Sequence, residues 1–445
     1  LKSIFLQVLQ SYRSSVAMVG LRLIGAFAAI ILNLILARNL GADQLAAAWS
    51  TVSMAIVATI FLTLGVDAAS VRVISRRLAV DDLTEVKGFT DFSMRLTNVL
   101  GVLWLVGFWA AALHFAASTE EYLAERLLFI GAVAPIMANL RVLSSHTLAD
   151  GRPIPASFPQ LLLLQVLQLT GVFLATLLFP QFNLLMFMGI YVVCIVSVTV
   201  LQWRLVQPLR SRVSRVKPDF TMRRDWMITG GFLAVPALLT DFSRDIISAL
   251  SVTVLTSQDV AILAIALKLT AFLRFGVVAI NQVFMSRLGA AIALNDKAEI
   301  DKLLAVSTLL KICPVMLMAL VLQLFGSEIM NFFSPELAAG GTVLVILTLE
   351  TILLVLCGPS AAFMSLGQGY YMLPIFALVS VATMCALTLL LGPIYGALGA
   401  AWAFSSAWGI WAIVGMVYVR LSQGRDISVV SALKWALTAF RRNAG

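Results

Sequence analysis

Residues 184–203, LLMFMGIYVVCIVSVTVLQW, run directly into residues 204–224, RLVQPLRSRVSRVKPDFTMRR. The first stretch has no charge in 20 residues, and the second carries seven cations against one acid, Asp219. A bilayer core takes about 20 apolar residues per helix, and backbone in lipid must bond within its own segment, so the first stretch reads as a spanning helix. Basic loops stay on the cytoplasmic side, so the second reads as an inner loop.

Outward from this point, eleven more runs qualify: 16–37, 45–66, 97–117, 127–149 and 158–179 before it, and 226–255, 260–284, 303–324, 343–364, 372–391 and 396–419 after it. The basic stretch thus divides twelve expected helices into six and six. The composition agrees, with 61% apolar residues and 12% charged and a mean hydropathy of +0.99. Soluble domains are roughly half apolar and a quarter charged, so a soluble enzyme, a nucleic-acid-binding domain and a disordered chain are excluded. The expected fold is an all-α polytopic membrane protein. Residues 1–217 form a first lobe, opened by an interfacial helix over 1–13, and 218–445 form a second lobe, closed by an amphipathic tail. With the N-terminus inside, 23 Lys and Arg fall in inner segments and only Arg38 and Arg126 in outer ones, placing both termini in the cytoplasm.

The halves are related. A shift of 215 residues lays Leu40-Gly41-Ala42-Asp43 on Leu255-Thr256-Ser257-Gln258 and Arg72 on Arg287, and a shift of 218 lays Asp150-Gly151 on Gln368-Gly369. Both halves start inside, so the repeat is parallel, the plan of a carrier with two lobes rocking about a site near the midplane. No phosphate loop, zinc-protease motif or folded soluble segment points to an enzyme. Cys194, Cys313, Cys357 and Cys385 lie in apolar runs without metal-like spacing, so no metal site and no disulfide framework is expected.

Three further stretches carry a resemblance: Leu36-Ala37-Arg38-Asn39-Leu40-Gly41-Ala42, Gly65-Val66-Asp67-Ala68-Ala69-Ser70-Val71-Arg72 and Tyr395-Gly396-Ala397-Leu398-Gly399-Ala400-Ala401. With the twelve-span plan, the chain resembles the Wzx-type polysaccharide flippases of the MOP superfamily, which also holds MATE exporters and lipid II flippases. The resemblance implies alternating-access transport of a polyprenyl-pyrophosphate-linked oligosaccharide (an O-antigen, exopolysaccharide or capsule unit) across the bacterial inner membrane. It implies coupling to H+ or Na+, no cofactor, and polysaccharide polymerase and chain-length proteins as partners. A MATE-like multidrug exporter and a lipid II-type flippase are the alternatives, although lipid II flippases usually have fourteen spans.

Nine ionisable residues lie within the runs: Arg22, Arg141, Asp241, Arg244, Asp245, Lys268, Arg274, Lys311 and Glu350. Each costs on the order of 2.5–3.5 kcal/mol at a helix centre on insertion scales, so they must pair or face a wet cavity. In the seventh run Asp241, Arg244, Asp245 and Ser248 form one polar stripe just after Pro236, which permits a bend. Asp241 and Asp245 suit ion coupling or gating, and Glu350 is a third acid for that role. Arg22, with Asn33 eleven residues on and on the same face, suits a phosphate group. Arg244 and either Lys268 or Arg274 would complete the substrate-binding set, and the sequence leaves open which of those two faces the cavity. Lys311 and Glu350 read as an ion pair between adjacent helices, and His146, near Arg141, as a satisfied inner-rim histidine. Six cations against three anions give +3 within the membrane, which suits an anionic cargo.

Overall fold

The computed structural model describes residues 2–115, 123–179, 181–251, 253–333 and 335–444. Over residues 2–16 and at scattered helical positions, Asp241 and Asp245 among them, it describes the backbone alone. Among the described residues every regular element is helical. The first half comprises α1 (Lys2–Thr63), α2 (Val66–Ala79), α3 (Leu83–His114), α4 (Leu123–Ala149), α5 (Pro153–Phe158), a π-helical turn (Pro159–Leu163), α6 (Leu164–Leu178), α7 (Leu184–Leu205) and α8 (Gln207–Val213). There follow α9 (Arg223–Asp241), α10 (Ser243–Ser251), α11 (Ser257–Ala293), α12 (Lys297–Phe333), α13 (Gly341–Leu356), α14 (Ser360–Leu366), α15 (Leu373–Gln423) and α16 (Val429–Ala444).

Nine of these stretches are long and apolar enough to cross a bilayer, or ten if Met54–Thr63 and Val66–Ala79, bent by 46°, count as one. The difference from twelve has two sources. The seventh run is broken between α9 and α10, so neither piece crosses alone. The last two runs are merged in α15, whose 51 residues would measure about 77 Å if straight. Gly396, at φ 58°, interrupts it, and Gly399 then packs directly on the Leu391 carbonyl eight residues back, so the chain reverses there and α15 holds two crossings. At 62 residues, or about 93 Å, α1 likewise exceeds one crossing.

The chain divides into two compact units, Val16–Gly231 and Phe232–Gly445, with Leu1–Ser15 grouped in the latter. The basic segment belongs to the first because it packs back on it. The Asp219 amide donates to the Thr84 carbonyl at 3.1 Å, the Asp219 carbonyl lies against Gly88, and Trp226 sits edge-on to Phe89 at 5.3 Å. The core of this unit gathers Leu32, Leu36, Val52 and Ala55 of α1 with Phe129 and Val133 of α4 and Phe187, Tyr191 and Ile195 of α7. The segment between the second and third runs is largely helical, since α2 continues past the Leu64–Gly65 bend and carries Arg72, Arg76 and Arg77.

The tail forms α16 as its 3.6-residue pattern requires. Ile427 and Ala432 are buried, while Val430, Leu433 and Leu437 stay exposed with Lys434. Trp435 lines a cleft with Asp301, Leu304 and Ala305 of α12. The side chains of the N-terminal amphipathic face lie outside the described residues.

Candidate functional site

The charged residues of the second unit converge on Glu350. Glu350 sits in α13 with 0% exposure. The Arg274 guanidinium of α11 lies 3.3 Å from one carboxylate oxygen, and that of Arg244 in α10 lies 3.7 Å from the other. Arg244 also donates to the Leu267 carbonyl and to Thr270 Oγ1 at 3.1 Å. The two guanidiniums rest over aromatic faces, Arg244 5.3 Å from the Phe404 centroid and Arg274 5.6 Å from that of Trp408. Such cation–π contacts gain strength where water is excluded.

Arg244 reaches this place because the seventh run breaks at Phe242. The stripe was expected on one helix bent at Pro236, but the break lies six residues later. Thr240 Oγ1 bonds the Ala237 carbonyl at 3.2 Å and Ser243 Oγ bonds the Thr240 carbonyl at 3.0 Å. Hydroxyls that take helical carbonyls this way favour a bend. The side chains of Asp241 and Asp245 lie outside the described residues.

Lys311 does not pair with Glu350. Its ammonium is buried and donates to Asn281 Oδ1 at 2.7 Å. Each instead has a partner on α11 or α10, Lys311 in Asn281 and Glu350 in Arg274 and Arg244. Asn281 stands seven residues after Arg274 on the same face of α11, so that face presents a guanidinium and, one level away, an ammonium held by an amide. Arg274, Asn281 and Lys311 line a cavity of about 190 Å³ together with Thr240, Thr351, Ser360, Trp408 and Trp411.

Aromatic rings continue from the cavity along one face of α15. Trp408 and Trp411 are 5.6 Å apart, Trp411 meets Phe376 at 6.4 Å, and Phe376 meets Tyr418 at 5.7 Å. The Tyr418 hydroxyl lies 3.1 Å from that of Tyr371. Sequence reasoning did not single these residues out. The signal was Phe404, Trp408, Trp411 and Tyr418 at helical spacing beside known charges.

The remaining expected site residues are dispersed. Lys268 is exposed and Arg274 half-buried, so of the two it is Arg274 that joins the acid. Arg22 is half-buried on α1, one turn before Gly25, which packs on the Leu161 carbonyl of the π turn. Asn33 is exposed and donates to the Ala29 carbonyl at 2.8 Å. It lies about 16 Å along the helix from Arg22.

In the first unit Arg141 pairs with Asp67, an acid absent from the expected set, at 2.9 Å, and reaches Thr59 at 3.4 Å. Asp67 opens α2 immediately after the Leu64–Gly65 bend, where a carboxylate complements the helix N-terminus. His146 is buried with Nε2 3.0 Å from Ser93 Oγ.

This helical arrangement is the fold of the MATE transporters of the MOP superfamily. A MATE crystal structure in complex with MaL6 superposes with a TM-score of 0.75 at 15% identity, covering 95% of this chain and 97% of that one. An outward-facing multidrug resistance MATE family transporter of the MOP superfamily gives 0.73 at 17% identity, over 93% of this chain and 96% of that one. A MOP superfamily transporter from Pyrococcus furiosus, whose binding pocket has reversed polarity suggesting a different function, gives 0.70 at 16% identity, again over 93% and 96%. No protein-family model matches the sequence, and no curated protein matches it.

Proposed function

We propose that this protein is a membrane transporter that exports an anionic, lipid-linked oligosaccharide by alternating access, driven by H+ or Na+. The observation that carries the reading is the charge balance of the second unit. Among the described side chains, Arg244, Arg274 and Lys311 are set against Glu350 beside a cavity walled by Trp408 and Trp411. Guanidiniums match phosphate oxygens in forked pairs, and indole faces suit the apolar faces of sugar rings. The role of the carboxylate is to hold the two arginines while no cargo is bound and to release one to a pyrophosphate. Arg22 of the first unit is a further cation that this reading assigns to cargo binding. The reversed polarity of the Pyrococcus furiosus transporter's pocket supports a departure from drug export within this fold.

The competing reading, a MATE-like exporter of cationic drugs, is favoured by the fold likeness to multidrug transporters. The test is export in a polysaccharide-producing cell that lacks its own flippase. Wild type restores surface polymer, and R274Q or R22A at equal membrane abundance restores less than about a tenth of it. Cationic-drug resistance without rescue in any host overturns the proposal in favour of the drug exporter. Rescue of a cell depleted of lipid II export would assign the cargo to the cell-wall precursor.

A further inference from the structure

A second polar cavity, of about 500 Å³, lies in the first unit where α3 meets α8. Lys87, Asp91 and Arg95 of α3 and Arg210 of α8 bring its charge, and Thr90, Asn98, Gln207, Ser211 and Ser214 add hydrogen-bonding groups. Lys87 is neutralised by Asp91 at 3.0 Å. That leaves two guanidiniums, and among the described residues neither Arg95 nor Arg210 has a carboxylate within 4.0 Å. Each is instead steadied by a ring, Arg95 5.7 Å from the Phe220 centroid and Arg210 5.4 Å from that of Trp203. Burial pulls the Arg210 guanidinium below its ordinary value, with Asp91 opposing. With Asp91 already paired to Lys87, two positioned donor forks form a seat suited to an anion.

The surroundings say what kind of anion. From Arg95 and Asn98, α3 continues as an exposed apolar stripe of Val99, Val102 and Val106, 59%, 60% and 59% exposed. The same helix is one of the bilayer-length spans. Beyond Trp203, α7 shows a similar stripe in Val193, Val196 and Val200. A soluble phosphate has no use for such walls, whereas a lipid has a head for the cavity and chains for the stripes. Basic pockets at the ends of spanning helices hold anionic lipid head groups by this combination.

We propose that the α3–α8 cavity is a binding site for an anionic phospholipid, with its phosphate between Arg95 and Arg210 and an acyl chain along Val99, Val102 and Val106. The site lies wholly within the first unit and is independent of the proposed cargo. It also gives part of the basic segment a role more specific than orientation.

The test is native mass spectrometry of the purified full chain in detergent, titrated with phosphatidylglycerol, phosphatidylcholine or inorganic phosphate. Phosphatidylglycerol adducts should form at concentrations at least tenfold below those of phosphatidylcholine, and R95Q/R210Q should abolish that preference. R215Q removes an exposed cation from the same basic segment outside the cavity and should leave the preference intact. If R95Q/R210Q does not fold, R95K/R210K keeps the charge without the forks and should lose most of the preference. Equal retention of the two lipids, an equal loss in R215Q, or displacement of phosphatidylglycerol by equimolar inorganic phosphate would overturn the proposal.

Discussion

Glu350→Gln removes the buried negative charge that two half-buried arginines share, and keeps the shape of the side chain. With an effective dielectric of about 20, a unit pair at the 3.3 Å of Arg274 is worth about 5 kcal/mol and one at the 3.7 Å of Arg244 about 4.5. Desolvation of all three groups and repulsion between the two arginines consume much of this. Truncating one member of a buried ionic group typically costs about 3–5 kcal/mol, and that is the expected loss of unfolding free energy. The assay is unfolding of the purified protein by SDS titration in mixed micelles, with E350Q, R274Q and the double variant completing a cycle. E350Q/R274Q should be less destabilised than the sum of its singles by about 1–3 kcal/mol, because removing both charges leaves one fewer unpaired. If E350Q unfolds like wild type, or the cycle is additive to within about 0.5 kcal/mol, Glu350 does not hold these arginines.

The Arg141–Asp67 pair of the first unit predicts that D67N loses about 3 kcal/mol by the same titration, whereas R141A/D67A loses less than the sum of its singles. At Gly396, φ is 58° and an added methyl would stand 2.8 Å from the Asp259 carboxylate, so G396A should cost more than about 1 kcal/mol and lower the yield of monodisperse protein on size exclusion. Asp150, in the turn after α4, has its carboxyl raised by burial, with Arg212 and Arg152 opposing. A carboxyl raised in the folded state binds more protons there than in the unfolded chain, so wild type loses stability as pH climbs from the ordinary aspartate range to the raised value. Thermal midpoints of D150N across that interval should stay flat where those of wild type fall, and parallel curves would refute the assignment.

Much of the helix plan was readable because lipid imposes a length and a uniform polarity on every crossing. The reversal within α15 was legible in Gly392-Pro393-Ile394-Tyr395 and falls at Gly396. The break of the seventh run was foreseen at Pro236 but falls at Phe242, where the decisive bonds come from Thr240 and Ser243, residues with no special weight in a hydropathy reading. Partner choice was the illegible part. Lys311 and Glu350 were on adjacent runs and of opposite sign, but Glu350 lies against α10 and α11, and no pattern within one helix reveals how α11 is rotated. Asp67 was hidden for another reason. It stands at a helix start inside a glycine- and alanine-rich packing motif, so it was read as part of a resemblance and not as an intramembrane acid.

The aromatic wall of the cavity has an optical consequence. Trp408 and Trp411 are two of the nine tryptophans in the chain, they lie 5.6 Å apart, and a guanidinium rests over one of them. Indole emission responds to the field and polarity at the ring, so any ligand that draws Arg274 from Trp408 must change the emission of the unlabelled protein. The chain thus contains its own fluorophore at the cavity, and replacing Trp408 by Phe isolates that signal from the other tryptophans.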